Sequence, residues 1–453
     1  MGLLYLAANI KNLPGVRVKI VDAFCEGLNV DQTAERILAL SPDVVGVSVM
    51  STKLENLPRL LGRIKAARHD TLTLAGGLHA TLFDRLLLKE IPELDLVLRG
   101  EAEESFLELG KRLLAGKETA GLPGLSYRAQ GKVIRGEPQQ IEDLDSLPFP
   151  DRSLLDYPGY GKQWYGFELP LLPRFTTAFS SRGCLFNCTF CAGTKLSGNR
   201  LRIRSAENVL QELLVLSQEG YEFVIFFDDN FTGNVDRLDK LCHLIIEHIP
   251  NMRLACAGTL HHVPDATLDL MHRAGFDLVF LGVESSSDEQ LRRYRKPTTR
   301  KQLATDIIRT KKAHIATIAS FITGGLGETD QDHEATRTLV WEVMPIIAEI
   351  NPLMVHPGSC LWDEIHGSQE PKTLKESESL LVSNFPGQMD KATLKLRERD
   401  FRRTFLKSWL HWRRIFDFLD LLRHNRLIGG IIKDVFRTPQ TLFMYLLRQN
   451  YRE

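Results

Sequence analysis

The first third of the chain alternates two hydrophobic periods. Val16–Asp22 (VRVKIVD) alternates apolar and polar positions as a strand does, and Asp31–Leu40 then spaces its apolar positions as a helix does. Val44–Met50 (VVGVSVM) is a continuous β-branched run, the pattern of a strand buried on both faces of a parallel sheet. Amphipathic helix is expected over Leu54–Arg68, strand over Leu72–Ala75 and Leu94–Leu98, and helix over Glu103–Leu114. Repeated β–α units of this size predict a parallel, doubly wound sheet over residues 1–120.

The pattern then breaks. Gly124–Ile134 reads as a hairpin, and Pro148, Pro150, Pro158 and Pro170 interrupt regular structure, so residues 121–172 are expected to connect two domains. A second β–α series follows. Its strands are expected at Phe175–Ser180, Phe223–Phe227, Arg253–Gly258, Leu278–Val283, Thr317–Thr323 and Leu353–His356. Its helices are expected at Ala206–Gln218, Val235–Ile249, Asp265–Arg273, Lys301–Lys312 and Asp332–Ile347. Six such units across residues 173–375 fit a partial (β/α)6 barrel better than a complete eight-fold one. Residues 376–453 are expected to be helical, basic and aromatic, as in Arg402–Arg414 (RRTFLKSWLHWRR). Arginines beside Trp and Phe suit a membrane surface or an anionic substrate, while the plainer reading is a helical cap on the barrel.

Composition narrows the class. With 43% hydrophobic and 25% charged residues the chain can bury a sizeable core. A formal net charge of zero argues against general nucleic-acid binding. Of 7 cysteines, three fall close together, which reads as a reduced, metal-binding protein and not as a disulfide framework. No secretory pattern and no apolar run of ~18 residues occur, so a cytoplasmic protein is expected, with membrane-surface contact only through the C-terminal region.

The close group is Cys184, Cys188 and Cys191, a CxxxCxxC pattern. Thiolates are soft ligands suited to iron–sulfur clusters, and three of them leave one iron of a cubane without a protein ligand. Zinc is the main alternative. A structural zinc site usually takes four ligands in two pairs, and His261 and His262 stand far along the chain. Other polar groups sit at the carboxyl ends of expected strands, where open α/β sheets bind ligands. They are Asp228 and Asp229 in the barrel series, Glu284 after its fourth strand, and Ser48, Ser51, Thr52, Gly76, Gly77, His79, Arg99 and Gly100 in the first domain. Helix caps and ordinary turns are the plainer alternatives there. Cys242 and Cys256 fall in helix and strand patterns and are expected to be buried small hydrophobes.

The segment Arg182–Cys191 (RGCLFNCTFC) resembles the signature of radical S-adenosylmethionine (SAM) enzymes, including the aromatic Phe190 before the last cysteine. The resemblance implies a [4Fe–4S] cluster on the three cysteines, an open iron that chelates SAM, and reductive cleavage of SAM to a 5′-deoxyadenosyl radical. It implies SAM contacts from Phe190, from Asp228 or Asp229, and from Glu284 in the GVES-like element Gly282–Ser285. Gly325–Thr329 and Pro357–Ser359 resemble further turns of that family. Gly2–Ala8, Pro42–Gly46, Gly76–Thr81 and Arg99–Glu103 resemble cobalamin-binding domains fused ahead of such barrels. That branch contains methyltransferases and the anaerobic oxidative cyclase of bacteriochlorophyll synthesis.

The implied cobalamin contacts are Ser48, Thr52, Gly76, Gly77, His79, Arg99 and Gly100. Members of the branch usually begin with a strand and a proline-containing loop, whereas this sequence opens at the GLLYLAA helix, so the first strand of the domain is expected to be missing. The histidine motif that ligates cobalt in other cobalamin proteins is not found. The implied fold is α/β: a Rossmann-like cobalamin-binding domain, a partial (β/α)6 radical SAM barrel and a helical C-terminal region. The implied activity is cobalamin-dependent methylation of an unactivated carbon. The alternatives are cobalamin-dependent oxidation, cyclisation or rearrangement without methyl transfer, and a non-catalytic cobalamin or iron–sulfur sensor. The implied partners are a small-molecule, hydrophobic substrate and an electron donor such as flavodoxin or ferredoxin.

Overall fold

The computed structural model describes residues 1–51, 54–155, 160–161, 163–164, 167–168, 173–193, 197–367, 371–376 and 389–429. The chain divides into two compact units, one built mainly on Met1–Tyr160 and the other mainly on Gly198–Leu353.

The first unit is a sheet with helices on both faces. Strands β1 (Val44–Ser48), β2 (Leu72–Gly76) and β3 (Leu96–Leu98) run parallel, and β4 (Leu125–Ala129) and β5 (Lys132–Arg135) continue the sheet antiparallel. The helices are α1 (Gly2–Ile10), α2 (Val30–Leu38), α3 (Asn56–Ala67), α4 (Leu78–Glu90) and α5 (Glu103–Leu114). Neighbouring strand residues point to opposite faces, and the core shows it. Ala75 and Val97 pack with Leu61 and Ile64 of α3 and Leu87 of α4, while Leu74, Leu96 and Leu98 pack with Leu109 of α5. Asn29 and Gln32 form a capping box that starts α2, satisfying N–H groups that the helix itself leaves unbonded.

Four expectations change here. Val16–Asp22 alternates in burial but joins no sheet: a strand needs a partner, and among the described residues none pairs with it. Val44–Ser48 is a strand at the sheet's edge, with Val44, Gly46 and Ser48 exposed, and is not buried on both faces. The strand order therefore runs one way across the sheet, without the reversal of a doubly wound order. The hairpin expected at Gly124–Ile134 forms, but it extends the first sheet instead of standing in a connector.

The second unit holds six parallel strands in the order β11-β10-β9-β8-β7-β6. These are β6 (Phe175–Ala178), β7 (Phe223–Phe226), β8 (Arg253–Ala257), β9 (Phe276–Glu284), β10 (Ala316–Thr323) and β11 (Ile347–Pro352). Between them run α6 (Ala206–Gln218), α7 (Val235–His248), α8 (Asp265–Arg273), α9 (Asp288–Arg293), α10 (Arg300–Lys312) and α11 (Asp330–Val343). One continuous core joins sheet and helices, with the rings of Phe226, Phe231 and Phe276 packed together within it. This is the six-unit partial barrel that the sequence led us to expect.

The sixth strand is Ile347–Pro352, not Leu353–His356. The helix before it was expected to run through Ile347. It ends earlier because Met344 takes a left-handed conformation (φ 46°) just ahead of Pro345, which frees the next residues to pair with β10. Beyond the barrel, α12 (Lys391–Ser408) sets Phe401 against Phe321, with ring centroids 5.2 Å apart. Helix α13 (Trp412–His424) leaves Trp412, Ile415, Phe416 and Leu419 exposed at one-face spacing. Among the described residues no helix is long and apolar enough to cross a membrane.

Candidate cofactor site

The barrel places its reactive groups at the carboxyl ends of its strands. Cys184, Cys188 and Cys191 stand outside any disulfide on the segment after β6, each half-buried. Two anchors fix the first part of that segment. The Gly183 N–H donates to Asp229 Oδ2 at 3.1 Å, just beyond β7. The Thr189 N–H donates to the Tyr294 carbonyl at 2.9 Å, at the end of α9, and its hydroxyl donates to the Arg293 carbonyl at 3.3 Å. Gly183 has φ 86°, a left-handed conformation that glycine adopts without strain. Phe190 is half-buried beside Cys191, and the Gly193 N–H lies 3.4 Å from Cys191 Sγ.

The other barrel cysteines differ. Cys242 and Cys256 are buried, and burial pushes both thiols well above the usual range, so they remain protonated and inert.

The two neighbouring aspartates have separate surroundings. Asp228 is buried and accepts from the Ser180 N–H at 2.8 Å, the Ser180 hydroxyl at 2.5 Å and the Ser181 hydroxyl at 2.6 Å. Arg237 reaches the same group through Ser180 Oγ at 2.9 Å. Asp228 is therefore spent on tying β6 to β7. Asp229 is exposed, although desolvation by the surrounding protein raises the pKa of its carboxyl, and one of its oxygens accepts from the Gly183 N–H.

Glu284 ends β9 in a left-handed conformation (φ 65°), uncommon for a residue with a side chain, where the pairing with β10 slips by one residue. Its carboxylate accepts from Lys296 Nζ at 3.1 Å. Gly282 makes room for this pair: a Cβ there would collide with the Glu284 carboxylate and lie 3.1 Å from Lys296 Nζ. Burial works against the Lys296 ammonium, but Glu284, Cys188 and Cys184 outweigh it and hold its pKa above the usual lysine value. Sequence reasoning passed over Lys296 because it sits in a basic run, Arg292–Lys296, that reads as an exposed helix end.

Nearby, Ser286 Oγ just past β9, Gln290 Oε1 in α9 and Thr323 Oγ1 at the end of β10 are buried without a partner in the described residues. Buried polar atoms normally find a partner. Soft thiols, an acid–lysine pair and unpaired polar atoms are what a thiolate-bound cluster and a zwitterionic cofactor require, so the residues present fit both. In the Gly325–Thr329 turn, Glu328 accepts from the Gly324 and Gly325 N–H groups and pairs with Arg397, which is a structural use.

In the first unit, Gly77 has φ 95°, and a Cβ there would sit 3.1 Å from the Val49 carbonyl. His79 is fully buried at the start of α4, with Nδ1 2.9 Å from Ser51 Oγ and its Nε2 without a partner in the described residues. Burial pushes its pKa down to about 4, so the ring is neutral. That orphaned Nε2, beside a glycine turn at a strand's carboxyl end, fits a polar ligand there. Gly76 closes β2 and Ser48 is exposed at the end of β1. Gly100 (φ 71°) donates to Thr81 Oγ1 at 2.9 Å. Arg99 is turned inward, paired with Asp84 at 3.4 Å and donating to the Gly136 carbonyl, so its guanidinium is committed to the fold. Thr52 lies outside the described residues.

The barrel and the first unit match separate domain models. The radical SAM superfamily matches residues 179–340, and the B12 binding domain matches residues 1–110. An uncharacterized methyltransferase of Pyrococcus horikoshii is 30% identical over 366 residues, spanning 80% of this chain and 77% of the relative. The anaerobic magnesium-protoporphyrin IX monomethyl ester cyclase of Rubrivivax gelatinosus is 29% identical over 419 residues, 90% of this chain and 74% of the relative. Among solved structures, the radical SAM methyltransferase TsrM from Kitasatospora setae, with cobalamin and a [4Fe–4S] cluster bound, superposes with a TM-score of 0.70 at 16% identity over 90% of this chain and 86% of that one. The cobalamin-dependent SAM radical enzyme OxsB gives a TM-score of 0.62 at 20% identity over 85% of this chain and 54% of that one. The cofactors that go with the two domains are a [4Fe–4S] cluster and SAM for the barrel and cobalamin for the first unit. The chain belongs to the family of radical SAM enzymes that carry a cobalamin-binding domain, with methyltransferases and cyclases among its relatives.

Proposed function

We propose that this enzyme methylates an unactivated carbon of a small, hydrophobic substrate, using SAM, a [4Fe–4S] cluster and cobalamin. In this reading Cys184, Cys188 and Cys191 hold three irons and leave the fourth for SAM. Asp229 accepts from the SAM amino group, Glu284 contributes a second polar contact, and Phe190 packs beside the cofactor. Asp228 holds the frame on which Asp229 stands. Ser48, Gly76, Gly77, His79 and Gly100 bind cobalamin at the carboxyl ends of β1 to β3, with Arg99 supporting them from within, and Thr52 is a further contact. The bound cofactors supply the radical chemistry and the methyl carrier, and the protein's part is to hold, orient and shield them.

The observation that carries this reading is the cysteine segment, pinned by Asp229 at one point and by Tyr294 at another, with its thiols half-exposed. Electrons would come from a donor of the flavodoxin or ferredoxin type. Oxidation or cyclisation without methyl transfer is the second reading, favoured by the cyclase relative that spans 90% of this chain.

One experiment separates the two. The protein is reconstituted anaerobically with iron, sulfide and cobalamin, and the products of SAM are measured. Methyl transfer gives both S-adenosylhomocysteine and 5′-deoxyadenosine, whereas 5′-deoxyadenosine alone with a converted substrate sinks methyl transfer. Cys188→Ala is expected to lose cluster absorbance and lower 5′-deoxyadenosine formation by about 10³-fold or more, about 4 kcal/mol in the barrier. Full cluster loading in that variant would sink the ligand assignment.

A further inference from the structure

We propose that Lys296 is a positioning residue of the cluster site: its largely buried ammonium, paired with Glu284 at the end of α9 where the backbone next to Cys188 is bonded, offsets the negative charge of the thiolate-bound cluster and sets how readily that cluster is reduced. The inference rests on the proposal that the cysteines hold a cluster.

Geometry carries it. Lys296 Nζ donates to Glu284 Oε1 at 3.1 Å, and only 11% and 12% of the two side chains are exposed. An isolated buried ammonium is costly, so a lysine is kept at such depth only where anions repay it. Glu284 is one anion. The Cys184 and Cys188 sulfurs, thiolates once iron is bound, would be the others. The backbone fixes this neighbourhood, because the Thr189 N–H, one residue past Cys188, bonds to the Tyr294 carbonyl at 2.9 Å, two residues before Lys296. The Lys296 N–H in turn bonds to the Leu291 carbonyl at 2.9 Å, so the lysine is anchored to the end of α9. Gly282 leaves space for the pair that a side chain would fill. A lysine ammonium has three N–H donors, and Glu284 takes one.

The charge argument gives a sign. Three thiolates on a [4Fe–4S] core make the site anionic, and reduction adds one more negative charge. A fixed cation nearby stabilises the reduced form more than the oxidised form and raises the potential, while a fixed anion lowers it. Lys296 and Glu284 therefore act in opposite directions on one electron transfer.

The test is a potential titration of the reconstituted, SAM-free holoenzyme followed by cluster absorbance and by the electron paramagnetic resonance signal of the reduced state. Lys296→Met is expected to load iron and sulfide as the wild type does but to be harder to reduce. At a fixed solution potential the reduced-to-oxidised ratio should fall about tenfold, which is a shift of about 59 mV for one electron. Lys296→Arg restores it, because the charge returns. Glu284→Gln moves the ratio the other way. A loaded Lys296→Met protein that reduces like the wild type overturns the proposal. If Lys296→Met does not load, Glu284→Gln decides alone: a ratio that rises supports the proposal, and one that stays or falls overturns it. A wild-type protein that loads no cluster at all overturns the parent reading instead, so the two failures are distinct.

Discussion

The carboxyl ends of the two sheets are built from different materials. In the barrel they are charged. Asp228 and Asp229 follow β7, Glu284 closes β9 and Glu328 lies beyond β10, with Arg237 and Arg397 buried and Lys296 largely buried beside them. In the first unit the corresponding ends carry Ser48, Gly76, Gly77 and Gly100. The buried charges of that unit, Asp84 and Arg99, with the half-buried Arg135, tie α4 to the sheet and to the β4–β5 hairpin instead. A buried charge costs several kcal/mol unless it is paired, so the barrel keeps a dense set of pairs where the half-exposed thiols are. That end suits small, charged cofactors that need fixed counter-charges. The glycine-lined end lets a large ligand approach the backbone, with few side chains committed in advance.

The largest effect that could break this contrast is expected from Asp228→Asn. Asp228 accepts three hydrogen bonds at full burial, two of them from serine hydroxyls, and Arg237 stands behind them. Burial raises the pKa of this carboxyl, and Asn would set an N–H donor against the Ser180 and Ser181 hydroxyls, so denaturant unfolding should show a loss of about 3 kcal/mol. A loss below about 1 kcal/mol would mean that the acid is not structural. The next effect concerns pH. Burial lowers the His79 pKa to about 4 in the first unit and the His333 pKa to about 4 in the barrel. Both histidines titrate near about 6.5 when unfolded. The unfolded chain then binds more protons between those values, so stability is full above about pH 6.5 and falls as pH drops toward 4. The upper bound is about 3 kcal/mol for each histidine. His79→Gln should flatten this acid dependence for the first unit's transition and His333→Gln for the barrel's. An unchanged slope in chemical denaturation between pH 4.5 and 7 would refute it.

The barrel was more legible in the sequence than the first unit, for a physical reason. Its interior strands are paired on both sides, so an apolar run such as Phe223–Phe226 or Leu278–Val283 has one stable use. Val16–Asp22 carries an equally good strand pattern and forms none, because pairing is a property of the partner, which periodicity does not report. Leu353–His356 reads as a strand because Ile347–Pro352 mixes Glu and Asn into its pattern, and the left-handed Met344 that ends α11 early leaves no mark in composition. At the site, the cysteine spacing was readable because its ligand types are rare and close. Which aspartate is free was not, since Asp228 and Asp229 are adjacent and chemically identical, and only the serines after β6 tell them apart. Lys296 was invisible because its partner is twelve residues away across a strand-to-helix turn.

The smallest effect is the most discriminating. Asp229→Asn keeps the size and one acceptor of the side chain, so the Gly183 N–H can still be held and the cysteine segment should keep its course. What it removes is a full negative charge that faces solvent and not a buried partner. Unfolding stability is then expected to change by less than about 1 kcal/mol and cluster loading to stay near the wild-type level. SAM affinity, read as the concentration needed to perturb the reduced-cluster signal, should weaken about tenfold, or about 1.4 kcal/mol. Asp228→Asn should give the reverse balance, with a large loss of stability and, in the protein that remains folded, near-normal SAM affinity. If both substitutions weaken SAM binding and stability alike, the two carboxylates form one coupled unit, and the division of labour between frame and contact fails. If only Asp229→Asn weakens SAM binding, the charged end of the barrel holds one acid for the fold and its neighbour for the cofactor.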